Sequence, residues 1–194
     1  MEFVLDLLQG AGIAAAIGIR PFLPVLLVGA LASADLGIDF EGTSFAFLEE
    51  WPFLLAVLVL VMLLELVARR RTDVDAGPIM YALLMLALIL GALQGAASLA
   101  DHDYVIAPGI VAGTAAAALG FFAARSLFIR VRRRLDTEAQ SVLPLYGEGS
   151  ALAAAGASVL FPPLAILVIA GLAWLLAGGR RRAGEKYAGL RILR

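Results

Sequence analysis

The chain has no cysteine and one histidine, and only 16 % of its 194 residues are charged. Without cysteine, disulfides, thiol nucleophiles and thiolate metal sites are excluded. The single His102 stands between Asp101 and Asp103. Three adjacent loop residues rarely turn toward one ion, and no second ligand cluster accompanies them, so no metal is expected. No Ser-His-Asp set, carboxylate pair or glycine-rich phosphate loop occurs in the required context, which argues against an enzyme and against a cofactor. There is also no polybasic surface of the kind that tracks nucleic acid.

What the chain has in excess is apolar side chain. Hydrophobic residues make up 62 % and the mean hydropathy is +0.94, where a soluble domain is nearer half apolar. The composition reads as an all-α polytopic membrane protein with the lipid bilayer as its main partner. The N-terminus opens Met1-Glu2 and carries Asp6 with no basic segment, and its apolar stretch runs on to Ala32. Both features argue against a cleaved signal peptide.

A crossing helix needs roughly 20 apolar residues. Pro52 to Ala68, Pro78 to Ala100, and Pro108 to about Ile129 each fit one crossing, and each opens with proline, which suits the first helical position. Two other segments are too long. Phe3 to Ser33 has about 31 residues, roughly 46 Å as one helix. Gly149 to Ala177 is similar. The first carries Pro21 and Pro24 in its middle, the second Pro162 and Pro163. Each therefore predicts two pieces of about 13 to 17 residues with a break between them. The segments are expected to be either kinked single crossings or re-entrant elements that turn back.

The two long segments also resemble each other. A shift of 139 positions brings Gly10 onto Gly149, Ala14-Ala15-Ala16 onto Ala153-Ala154-Ala155, Phe22 onto Phe161, and Pro24 onto Pro163. Paired broken segments in two halves of a chain point to an inverted repeat with a transport site between them.

Charge sets the expected topology. Net charge is −1, but Arg69-Arg70-Arg71, Arg130 to Arg134 and the residues from Arg180 onward are basic, while Asp35 to Glu50 and Asp101/Asp103 are acidic. The basic loops belong in the cytoplasm and the acidic loops outside. A last segment that returns to its starting side keeps the basic C-terminus cytoplasmic. The expected location is the inner (plasma) membrane, multi-pass, with a membrane domain over 1–179 and a cytoplasmic tail over 180–194. Asp136 to Gly147 is polar, contains Pro144, and reads as a cytoplasmic linker.

Arg20 is the sharpest feature. A cation deep in hydrocarbon costs at least a few kcal/mol and usually faces a cavity or a partner. At the Arg20-Pro21 break, backbone groups are freed, and these are tolerated only inside protein or beside water. Arg20 reads either as an anion-binding or gating residue, as a structural lock paired with a carboxylate, or as a snorkelling side chain. The candidate pathway is Arg20, Pro21, Pro24, Glu65, Gln94, Phe161, Pro162 and Pro163. Glu65 precedes Arg69 by one turn, an ordinary helix pair, or else it serves as a coupling acid or a partner for Arg20. Glu148 opens the last broken segment and reads as a cap or a vestibule residue. Gln94 lies between Gly91 and Gly95, and Gly109 and Gly113 repeat that spacing. These glycines predict close helix packing within the chain or a homodimer contact.

Gly18-Ile19-Arg20-Pro21-Phe22-Leu23-Pro24 resembles the G-x-R-x-aromatic-x-P signature of a bacterial integral-membrane family, domain of unknown function 4126. Glu65-Leu66-Val67-Ala68 followed by Asp73 and Asp75 is similar to that family's E-x-x-A-D-K…D stretch, with Arg69-Arg70 standing where the family tends to have Asp-Lys. The resemblance implies a small polytopic bacterial protein, brings no activity with it, and places weight on Arg20. The expected function is a small transporter or channel for an anionic or polar solute. The alternative is a non-transporting scaffold or lipid-interacting protein with Arg20 as a lock.

Overall fold

The computed structural model describes residues 1–69, 77–132 and 134–188. Among them the chain forms seven α-helices and one 3-10 turn, with no strand. The helices are α1 (Glu2–Ile19), α2 (Phe22–Ala32), α3 (Trp51–Arg69), α4 (Pro78–Ala100), α5 (Ala107–Arg132), α6 (Thr137–Leu160) and α7 (Leu164–Ala188), and the turn is Ala46–Leu48. By length and composition, α1, α4 and α5 are able to cross a membrane, while α2, Trp51–Leu64 of α3 and Leu164–Gly178 of α7 are apolar but shorter.

Both long segments break at their prolines. Arg20 is extended, with φ −152° and ψ 119°, as a residue before proline is driven to be. Pro21 is already helical and leads into α2. At the other break Phe161 closes the last turn of α6 by donating to the Ala157 carbonyl at 2.9 Å. The carbonyls of Pro162 and Pro163 then accept from Ala165 and Ile166 at 3.0 and 3.2 Å, opening α7.

The pieces differ in length from the expected 13 to 17 residues. They are 18 and 11 residues in the first segment, and 24 and 25 in the second. Hydropathy marks only the apolar part of a helix, whereas hydrogen bonding carries the helix on through polar residues. For this reason the expected linker from Asp136 to Gly147 is instead the first half of α6, with Pro144 inside it. The Gln140 amide donates to the carbonyls of Arg132 and Leu135 at 3.1 and 2.9 Å, tying the start of α6 to the end of α5. Likewise α7 runs without interruption from 179 through 188; residues 189–194 of the expected tail lie outside the described residues.

Contacts at the helix ends give each helix its direction. Asp6 meets His102 at 3.2 Å, and the rings of Phe3 and Tyr104 meet edge-on at 5.3 Å. Arg20 lies over the Phe128 ring at 5.9 Å. So α1 runs alongside α5 and against α4. Arg20 near Glu148 and Gln9 bonded to the Val159 carbonyl make α6 run against α1. After α2 the chain comes back beside α1, where the Gln9 amide donates to the Gly37 carbonyl at 2.6 Å. Gly37 has φ +78°, a conformation that favours glycine. Leu175 of α7 lies beside Arg130, whose guanidinium donates to its carbonyl at 3.4 Å. The bundle thus has an Asp6 end and an Arg20 end.

α1 is the central helix because its sequence is small. From Gly10 to Gly18 every side chain is buried, and Ile13, Ala14, Ala15, Ala16 and Ile17 are fully so. A Cβ on Gly18 would collide with the Ala117 carbonyl oxygen, and one on Gly120 with that of Ala15. In the same way Gly91 and Gly95 of α4 meet Gly113 and Gly109 of α5, backbone to backbone. In lipid, such close approach supplies the dispersion contacts that hold helices together. The glycine face is therefore filled within one chain. A separate apolar cluster joins Val25 and Val28 of α2 and Leu54 and Val57 of α3 to Phe40 and Leu48 of the connecting loop. That loop thus plugs the core with two fully buried side chains, Phe40 and Leu48.

Candidate functional site at the Arg20 break

Because Arg20 ends α1 in an extended conformation, its side chain leaves the helix axis toward α5 and α6. Its Nε lies 3.8 Å from Oε1 of Glu148, and the two side chains are 25 % and 21 % exposed. The pair opens on a cavity of about 150 Å³. Arg20 and Pro21 line it from the break, Met80 from α4, Phe121, Arg125, Phe128 and Arg132 from α5, and Glu148 from α6.

Among the described residues, the cavity lining carries three guanidinium groups and one carboxylate. Arg125 donates from Nη1 to the thioether sulfur of Met80, a weak acceptor. Its Nε is buried with no hydrogen-bond partner among the described residues.

The expected pathway residues divide. Arg20 and Pro21 line the pocket. Pro24 is fully buried in α2 and is not part of its lining. Gln94 is 1 % exposed in α4, and neither atom of its amide has a partner among the described residues. Glu65 belongs to α3, but its side chain, and with it the proposed pairing to Arg69, lies outside the described residues. Phe161, Pro162 and Pro163 form the second break near Gln9, away from Arg20, and Phe161 is 65 % exposed. Of the two readings of Glu148, the cap does not hold, since the residue sits in mid-α6; it lines the pocket and meets Arg20.

Arg125 and Arg132 escaped the sequence reading. The signal was present: Phe121, Arg125, Phe128 and Arg132 recur every three or four residues, which places them on one face of α5.

The Asp6 end has the opposite charge. Asp35, Asp39, Glu41, Glu49 and Glu50, with Trp51, line an open cavity of about 720 Å³. Burial pushes the Glu49 carboxyl above the usual carboxylate range, and the neighbouring Asp39, Glu41 and Asp35 push it further. Burial also raises Asp101, against the opposing pull of His102 and of the Asp39 backbone N–H. His102 lies 3.2 Å from Asp6 and 3.9 Å from Asp101, a bridge between α1 and the α4–α5 turn.

The chain belongs to the family described as Domain of unknown function (DUF4126), whose model matches residues 7–182. The match extends well beyond the first hundred residues that carry the motif resemblance. No curated protein and no solved structure gives a match.

Proposed function

We propose that the protein is a small multi-pass transporter or channel of the inner (plasma) membrane, passing a small anionic or polar solute at the Arg20 break. The observation that carries this reading is the cavity that reaches Arg20, with three guanidinium groups and one carboxylate in its walls among the described residues. An ionisable residue that lines a cavity within a membrane bundle marks a functional site.

Charge supports an orientation. Arg130 and Arg132 end α5 at the Arg20 end, and the acidic cavity occupies the Asp6 end. The positive-inside rule then puts the Arg20 end in the cytoplasm. In that frame α1 descends, α2 returns, and the helices alternate until α7 delivers the C-terminus to the cytoplasm. Trp51 and Trp174, 74 % and 75 % exposed, fall toward opposite ends, as interfacial aromatic belts do. An anion would load from the cytoplasmic, basic end, since the acidic cavity repels it from the other.

The same contacts support an inverted repeat. The 139-residue shift that aligns the broken segments also carries Gln9 onto Glu148 and Arg20 onto Val159. It therefore exchanges the Arg20–Glu148 contact with the Gln9–Val159 contact. It exchanges the packing of α2 on α6 with that of α7 on α1 as well. A two-fold axis in the membrane plane produces this pattern. On α1 the two contacts lie about 16 Å apart at 1.5 Å per residue, one toward each face.

The Arg20–Glu148 pair favours a second reading, a membrane scaffold or lipid-interacting protein in which Arg20 is a lock. Flux of radiolabelled chloride, sulfate and phosphate into proteoliposomes, for the parent, Arg20→Ala and Arg20→Lys, separates the two. Transport through Arg20 requires flux in the parent and a loss in Arg20→Ala. Equal flux in all three folded proteins removes Arg20 from the transport path, and no flux above empty vesicles in the parent leaves the scaffold. Cysteine labelling of Ser33→Cys and Asp136→Cys in this cysteine-free chain tests the orientation.

A further inference from the structure

We infer that the side-chain amide of Gln94 binds internal water in the middle of the bundle, between the acidic end and the Arg20 cavity. The inference does not depend on transport.

Gln94 carries the argument. It is 1 % exposed in α4, and both Oε1 and Nε2 are buried without a hydrogen-bond partner among the described residues. Other buried polar side chains of the bundle are provided for. The Gln9 amide donates to two carbonyls. Ser98 donates to the main-chain carbonyl of Gln94 at 3.0 Å, and Ser158 to that of Ala154 at 2.8 Å. A carboxamide has two N–H donors and two acceptor lone pairs, and the surrounding lipid offers it no partner in exchange. Polar groups that the protein leaves over in its interior are met by buried water, which typically makes about three hydrogen bonds. Water both donates and accepts, as the two ends of the amide require. Ser98, one turn along the same face of α4, keeps acceptor capacity on its hydroxyl for the same water.

Backbone contacts fix the level of this site. A Cβ on Gly10 would lie 3.0 Å from the Gly95 Cα, and one on Gly91 would lie 3.4 Å from the Ala14 Cβ. Gln94 therefore stands level with Gly10 to Ala14 of α1. From Ala14 to Arg20 is six residues, or roughly 9 Å along the helix. On α4 the walls of the Arg20 cavity include Leu83 and Ala87. Gln94 follows them by eleven and seven residues, which returns to the same helical face. Between Ala87 and Gln94 on that face stands Leu90, packed in one apolar cluster with Ile13 and Ile17 of α1. The water at Gln94 is thus a polar station one apolar layer beyond the Arg20 cavity.

The test uses the full chain in phosphatidylcholine bilayers. Glutamine occurs only at 9, 94 and 140, and asparagine is absent, so glutamine labelled with ¹⁵N gives three side-chain amide signals in solid-state NMR. Magnetisation transfer from water protons to each Nε2 is measured. Gln140, which is exposed, marks the fast limit, and Gln9, held by two carbonyls, marks the slow one. The Gln94 signal is expected to build up several-fold faster than that of Gln9. It is also expected to stay sharp in the presence of a soluble gadolinium chelate that broadens Gln140. Gln140→Ala and Gln94→Leu assign the signals; should Gln94→Leu not fold, Gln9→Leu replaces it. Transfer to Gln94 as slow as to Gln9 overturns the inference. So does broadening equal to that of Gln140, which would mean bulk solvent in place of internal water. Solute flux with a dry Gln94 sinks this inference alone, and a hydrated Gln94 in a protein that moves no solute sinks only the transport reading.

Discussion

Arg20, at the break between α1 and α2, faces Glu148 in the middle of α6 at 3.8 Å. Each is about one-quarter exposed, so solvent screens part of their attraction. The double-mutant cycle of Arg20→Ala and Glu148→Ala, read by thermal unfolding in detergent, is expected to give a coupling of about 1 kcal/mol. Additive losses would mean that the two side chains are neighbours without interaction.

The close helix approaches predict a sharp contrast among glycines. Gly18→Leu and Gly120→Val drive side chains into the carbonyls of Ala117 and Ala15, and each is expected to cost more than about 3 kcal/mol or to prevent a monodisperse protein. A Cβ at Gly149 or Gly171 meets nothing within 4 Å. Ala at either position is expected to raise stability by roughly 0.5–1 kcal/mol through helix propensity. Size-exclusion profiles and melting temperatures of the four variants check both halves.

Gln9 joins three parts of the chain, since its amide donates to the Gly37 and Val159 carbonyls at 2.6 and 3.2 Å. Gln9→Leu leaves two carbonyls without this donor and is expected to cost about 1–3 kcal/mol. The loss should appear as faster labelling of Val159→Cys, because the end of α6 is released. Unchanged stability and labelling would show that the two carbonyls find other donors.

The acidic cavity makes stability depend on pH. The Glu49 carboxyl titrates above its unfolded value because it is desolvated and surrounded by Asp39, Glu41 and Asp35. The folded state therefore holds its proton more tightly than the unfolded chain does. The resulting stabilisation is fully present below the unfolded carboxylate range and is lost as pH rises through the folded value. Melting temperatures are expected to fall over that window in the parent, and to fall less in Glu49→Gln. A parallel pH profile in the variant would remove Glu49 from the account.

Much of the architecture was legible because it rests on local chemistry. Proline at 21 and at 162–163 sets the two breaks, because it lacks an amide hydrogen and disfavours the helical conformation in the residue before it, whereas Pro144 is accommodated inside α6. The Asp136–Gly147 stretch was misread because polarity marks solvent contact, not the end of a helix. The candidate site was less legible. Arg20 was identifiable as a charge in apolar text, but Glu148 is remote in sequence, and Arg125 was obscured by the basic run that follows it.

The sequence by itself determined that the chain is helical and apolar, where it breaks, which ends are acidic and basic, and that α1 is small enough to be surrounded. These follow from propensity, hydropathy and proline geometry, which act within a turn or two of helix. Only the tertiary structure decided that Glu148 rather than Phe161 meets Arg20, and that Arg125 and Arg132 share the cavity. Those pairings depend on the register between helices, fixed by backbone contacts at Gly18, Gly95, Gly109 and Gly120. Shifting that register by one turn, about 5.4 Å, would bring a different set of side chains to the break.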